Sequence, residues 1–293
     1  MIIDFHTHTF PDAIASRVVK QLGGASHTLP FSDGSMDGLI SSMKKSGVDY
    51  SVTLPVMTNT GQVEKINNLV IQQQELAADR GIIAFGGMHP DYENYKQELI
   101  RLREHRVPGI KLHPAYQNVD LNDIRMMRII DAASEQGLII LTHAGIDIGI
   151  FDHNYASVSH ILQVVDELRP EKLVLAHMGN WGCWEDTLRR LAGAPVWFDT
   201  AFSIGPITAD PAQETGPYLE TNLSDEAFVR LCRAHGTDRI LFGTDSPWAD
   251  QKDYVERVQH MPLTEDEKQQ IFSENAKKLL TPFLETAERF PDR

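Results

Sequence analysis

The sequence predicts an α/β chain folded as a (β/α)8 TIM barrel, and three observations predict it. Short apolar runs alternate with longer segments of helical spacing from one end of the 293 residues to the other. The runs are continuously apolar, not alternating, which marks parallel strands covered on both faces. Eight of them can be counted, the number that closes a barrel. The chain is slightly longer than one barrel needs and its composition shows no break. Residues 1–293 are therefore read as a single barrel domain.

In chain order the strands are expected at 2–6, 50–54, 82–86, 107–112, 138–142, 173–176, 196–199 and 240–242. Helices are expected at 96–105, and at 123–136 where Gly137 stops the run. Ser224 opens another over 227–234, which Gly236 ends. Thr264 and Glu267 form a capping box before a helix over 268–280. Three segments rich in turn formers, 22–38, 144–159 and 202–222, are expected as loops at the C-terminal face, where a barrel builds its pocket.

Composition narrows the partners. The net charge of −14 repels phosphate backbones, so nucleic acid is not expected, and no apolar run is long enough to span a membrane. Cys183 and Cys232 stand in different segments with no ligand neighbour, which fits a reduced cytoplasmic compartment. No leader peptide is expected, because a candidate site residue already stands at position 6. A small-molecule substrate is expected, and a homo-oligomer stays open.

The first motif with chemistry in it is Asp4-Phe-His6-Thr-His8. Residues two apart on a strand point the same way, so His6 and His8 project together and can chelate one divalent ion. The other strand ends repeat the theme: His143 in LTHAG, His177 in LAHMG and Asp245 in FGTDSPW. Five metal-capable side chains from four strands converge on one mouth, a repetition that core histidines do not show. Lys111 shares the inward parity of Gly109 and His113. It is read as a substrate-binding residue, with a structural role or a carboxylated bridge between two ions as alternatives. His89 and His113, each before a proline, read mainly as structural, and His153 and His160 as exposed loop residues. Asp4 reads as buried and hydrogen-bonded; Asp199 faces the mouth or caps a loop. Trp181, Trp184 and Trp248 either line a pocket or pack.

The stretches IIDFHTH, GIKLHP, LTHAG, LAHMG, LFGTDSPW and FSENAKKLL together resemble the amidohydrolase superfamily, in the branch of aminocarboxymuconate-semialdehyde decarboxylase-like enzymes, over essentially the whole chain. The resemblance implies one divalent metal held by His6, His8, His143 and Asp245, with His177 as catalytic acid/base. Zinc suits the histidines and manganese tolerates the mixed set. Asp245 could share the proton-transfer role. Hydrolysis and non-oxidative decarboxylation compete within the branch. Segments 55–62, 114–121, 144–159, 178–185 and 202–222 carry no Lys or Arg. A second substrate carboxylate would need such a cation. The expectation is therefore a hydrolase attacking an amide, ester or lactone with metal-bound hydroxide, and a carboxy-lyase of a small organic acid is the alternative. A deoxyribonuclease of the related barrel type would carry glutamate where Lys111 stands. A non-catalytic metal-binding barrel would not need all five site residues.

Overall fold

Parallel strands ring the centre of the molecule in a computed structural model that describes residues 1–77, 80–213 and 220–284. They are β1 (Ile3–Thr7), β2 (Tyr50–Thr53), β3 (Ile82–Ala84), β4 (Gly86–Gly87), β5 (Gly109–Leu112), β6 (Ile139–Thr142), β7 (Leu173–Leu175), β8 (Trp197–Asp199) and β9 (Ile240–Leu241). Every pairing is parallel, in the orders β1-β2-β3 and β4 through β9. β3 pairs with β2 and β4 with β5, so the single strand expected at 82–86 is split at Phe85 and eight staves remain. Gly86 and Gly87 offer no side chain to pack there, which weakens a regular ladder.

Between β9 and β1 the ring is joined by single bonds, not by a continuous ladder. Phe5 N donates to Phe242 O at 2.7 Å, Asp245 N to His6 O at 2.8 Å and His8 N to Ser246 O at 2.7 Å. Asp4 reinforces this seam. Its carboxylate accepts from Thr244 Oγ1 (2.6 Å), Thr244 N (3.0 Å) and Gln251 Nε2 (2.7 Å). Burial pushes the Asp4 carboxyl up to about 7 against the opposing pull of these bonds. The expectation of a buried, hydrogen-bonded Asp4 is met.

Both parities of the strands are buried, as parallel staves require: Ile3, Asp4 and Phe5 on β1 and Ile110, Lys111 and Leu112 on β5 are all shielded from solvent. The expected caps form. Asp123 accepts from Arg125 N ahead of the helix Ile124–Glu135, and Ser224 from Ala227 N ahead of Asp225–His235. The Thr264–Glu267 box is closed in both directions. The helix it opens starts at Glu265, earlier than expected, and continues through a π turn, Gln270–Glu274, into Asn275–Leu284.

The segment expected as a loop over 22–38 differs. It carries the end of a helix, Asp12–Ser26, and the start of another, Met36–Ser46. Within the first of these helices Gly23 serves close approach. A Cβ at that position would stand 2.7 Å from Thr28 O. The helix runs to Ser26 and is capped by His27, whose backbone is left-handed (φ 58°). Among the described residues no helix is long and apolar enough to cross a membrane.

Candidate metal centre

His6 and His8 leave the end of β1 side by side, with their Nε2 atoms 3.2 Å apart. Asp245, in the turn after β9, brings Oδ1 to 3.0 Å from His8 Nε2 and 3.4 Å from His6 Nε2. Hydrogen bonds behind the rings fix the tautomers. His8 Nδ1 lies 2.7 Å from Leu54 O, and a carbonyl can only accept, so the proton sits on Nδ1. His6 Nδ1 donates to Asp199 Oδ2 at 2.8 Å. In the neutral rings both Nε2 atoms are then acceptors. Two imidazole lone pairs and a carboxylate oxygen point at one another with no proton between them, an arrangement that a divalent cation fits. Burial alone would raise the Asp245 carboxyl, and positive charge at His6 and His8 opposes it; with both rings neutral, a bound cation would supply that charge.

Asp199, at the end of β8, caps backbone and lies buried behind His6 instead of lining the cavity. Oδ1 accepts from His177 N (2.9 Å) and Ala201 N (3.1 Å), while Oδ2 orients His6. Asp199→Asn is expected to keep its oxygen on those two amides and turn its NH2 toward His6 Nδ1. Two donors cannot face each other, so the His6 proton moves to Nε2 and the ligand lone pair is lost. Metal affinity should fall roughly 10- to 100-fold with the fold retained. A competitive chelator titration reads this, and an unchanged affinity would refute the orienting role.

His177 follows β7. Its Nδ1 donates to Ala201 O at 2.9 Å, so Nε2 accepts, from His143 Nδ1 at 3.1 Å. The His143 proton is then on Nδ1. Its Nε2 is buried and has no hydrogen-bond partner among the described residues, the mark of a site that fits an electrophile. His143 does not fall in one group with His6, His8 and Asp245. Its ligand atom lies within 4.8 Å of those of His113 and Asp147. The His113 and His143 rings stack with centroids 4.4 Å apart, and His113 Nε2 stands 3.5 Å from Asp147 Oδ2. Burial lowers the pKa of His6, His113, His143 and His177, which keeps all four neutral ligands or bases.

Lys111 rises from β5 into the same space, fully buried, with Nζ 3.3 Å from His6 Nε2. Burial brings it down to about 8. His177, Met178 and Asp245 all hold left-handed backbone (φ 60°, 55° and 70°). Such conformations cost on the order of 1–3 kcal/mol each and sit where the turns aim side chains inward.

These groups floor a cavity of about 510 Å³. Trp181 and Trp248 line it and Trp184 does not. His89, His153 and His160 lie outside it, bonded to Asp91 N, Asp120 and Tyr155 O. His113 and Asp147 are the functional candidates that sequence reasoning passed over or read as structural. Asp147 stands four residues beyond His143 in the loop after β6, where an acidic residue beside a strand-end histidine could have flagged it. Burial raises its carboxyl to about 6.

Residues 3–281 match the family model described as Amidohydrolase. No curated protein matches the chain. Among solved structures, 5-carboxyvanillate decarboxylase from Sphingomonas paucimobilis is 16% identical, with TM-score 0.69, covering 96% of this chain and 98% of that one. An uncharacterised TIM-barrel protein from Bordetella bronchiseptica is 17% identical, with TM-score 0.73, over 96% and 99%. A dihydroxybenzoic acid decarboxylase from Polaromonas sp. JS666, solved with manganese and 2-nitroresorcinol, is 14% identical, with TM-score 0.69, over 96% of each. The neighbours carry the TIM-barrel fold expected here. They also correct the expectation of a hydrolase attacking an amide, ester or lactone: most of them are decarboxylases. The physical reason lies in the cation argument. Scarce Lys and Arg bear on how many carboxylates a substrate carries, not on which of its bonds breaks.

Proposed function

The chain belongs to the amidohydrolase family, and on that premise we propose that it is a metal-dependent, non-oxidative carboxy-lyase acting on an aromatic acid with a single carboxylate. The observation that carries this reading is the character of the cavity. Among its described lining residues Lys111 is the only Lys or Arg, and it stands at the floor beside the converging histidines. Beyond the floor the walls are largely apolar. A carboxylate moved out of water into such surroundings is poorly solvated, while the charge spreading into the ring as carbon dioxide departs is tolerated.

His6, His8 and Asp245 would hold the ion, with His143 completing the set through its unpaired Nε2. Zinc and manganese both suit such nitrogen and oxygen donors, and the Polaromonas neighbour carries manganese. When bound, the ion supplies positive charge that fixes the substrate's oxygens and withdraws electrons from the ring. Lys111 adds a second charge from the floor, positioned to hold the carboxylate or an adjacent hydroxyl oxygen.

The remaining step is a proton transfer. His177 Nε2 is an acceptor that His143 Nδ1 occupies at 3.1 Å, and a ring hydroxyl that displaces this bond can pass its proton to it. It returns that proton to the carbon bearing the carboxylate. The carbon–carbon bond then breaks, its electron pair restores the ring, and carbon dioxide leaves. The organic product departs as the phenolate, which takes its proton from solvent. Hydroxybenzoates fit this cycle, and neighbouring structures are named for them.

The test is product analysis with metal-loaded enzyme and a panel of hydroxybenzoates in labelled water. Carbon dioxide should be released, and in deuterium oxide one deuterium should appear at the vacated ring carbon. No solvent oxygen should enter the organic product. Solvent oxygen in the product without carbon dioxide would overturn the lyase.

A further inference from the structure

The cavity is too large for a simple benzoic acid. A space of roughly 150 Å³ holds a benzene ring, and about 510 Å³ is available above the candidate ligands. The excess volume has a defined wall. The helix Asp12–Ser26 buries Ala15, Val19 and Gly23 against the body of the protein, which is the face that packing requires. It carries a second apolar stripe, Ile14, Val18 and Leu22, spaced four residues apart, and this stripe lines the cavity. The helix Val63–Ala77 adds Ile66, Leu69 and Val70 at helical spacing. Leu69 remains 45% exposed, so core packing does not account for it. No lysine or arginine stands among the described residues of this outer half, which leaves no cation there to pair with an acidic substituent.

We infer that the two helical stripes form an apolar subsite for a long alkyl or fused-ring substituent, carried by the substrate on the side away from the metal. The subsite rests in part on the proposed lyase, because that reading sets which end of the acid faces the floor. Its physical basis is separate: apolar surface that is wet in the free protein and continuous with the candidate ligands. Covering it with a hydrocarbon chain removes both surfaces from water.

The test uses 3-alkylphenols with zero to six chain carbons, which carry no carboxylate and cannot be decarboxylated. Their affinity for metal-loaded enzyme is measured by calorimetric titration. Dissociation constants should fall about three- to fourfold per added methylene until the cavity is full. Val18→Asp and Leu69→Glu should flatten that dependence, and Val18→Leu should preserve it. A flat series in the wild-type protein overturns the subsite, as does a slope that Val18→Asp leaves untouched. The two readings fail separately. A chain-length slope with no carbon dioxide from any hydroxybenzoate removes the lyase and keeps the subsite. Carbon dioxide release with a flat slope does the opposite.

Discussion

His6→Ala is expected to strip the metal and abolish turnover together, the largest effect of any single change at the site. His6 Nε2 faces His8, Asp245 and Lys111 at 3.2, 3.4 and 3.3 Å, so it is the hub of the donor cluster. Removing an orienting partner of a ligand costs roughly 10- to 100-fold in metal affinity; removing the ligand itself should exceed that. The substitution also leaves Asp199 Oδ2 buried without its donor, a cost of about 1–3 kcal/mol or more for a charged group. Part of the loss should therefore appear as lowered stability even in metal-free protein. Elemental analysis after dialysis, with turnover on the same samples, checks the first point, and thermal unfolding with chelator present checks the second. Retention of a full equivalent of metal would place the ion elsewhere, with the His113–His143–Asp147 group as the next location to probe.

Much of this was legible in the sequence because the barrel couples two periodicities. Period two along a strand sets His6 and His8 on one side, and the recurrence of strand ends brings Asp245, His143 and His177 to the same mouth. Spacing cannot reveal how rings rotate about their bonds. His143 shares the mouth as expected, yet its ring stacks on His113 and pairs with His177, a choice made by neighbours from other staves. Asp147 was hidden because loop residues carry no periodic signal. Turn formers across 22–38 read as a loop, yet Gly23 belongs to a helix, where Thr28 O folds back against it. The reaction was misread for a different reason. The scarcity of cations bears on how many carboxylates a substrate carries, not on which bond breaks.

His177→Asn separates holding the metal from moving the proton. Asparagine tolerates left-handed backbone better than most residues, and position 177 has φ 60°, so the turn after β7 should survive. Its side-chain amide can still donate to Ala201 O, replacing the bond that now anchors the ring. It cannot place a titratable lone pair where Nε2 stands. Turnover should fall about 10²- to 10⁴-fold, the usual worth of a positioned acid/base group, while metal content stays near wild type. Deuterium uptake at the vacated carbon should slow in proportion, because the same atom returns the proton. A ligand role for His177 is the competing reading, since its ligand atom, that of His6 and that of Asp199 lie within 4.8 Å of one another. The two readings differ in one measurement. If His177→Asn loses its metal as completely as His6→Ala, His177 belongs to the cage, and the proton must come from another group facing the floor, with Asp245 or Lys111 the nearest able to carry one.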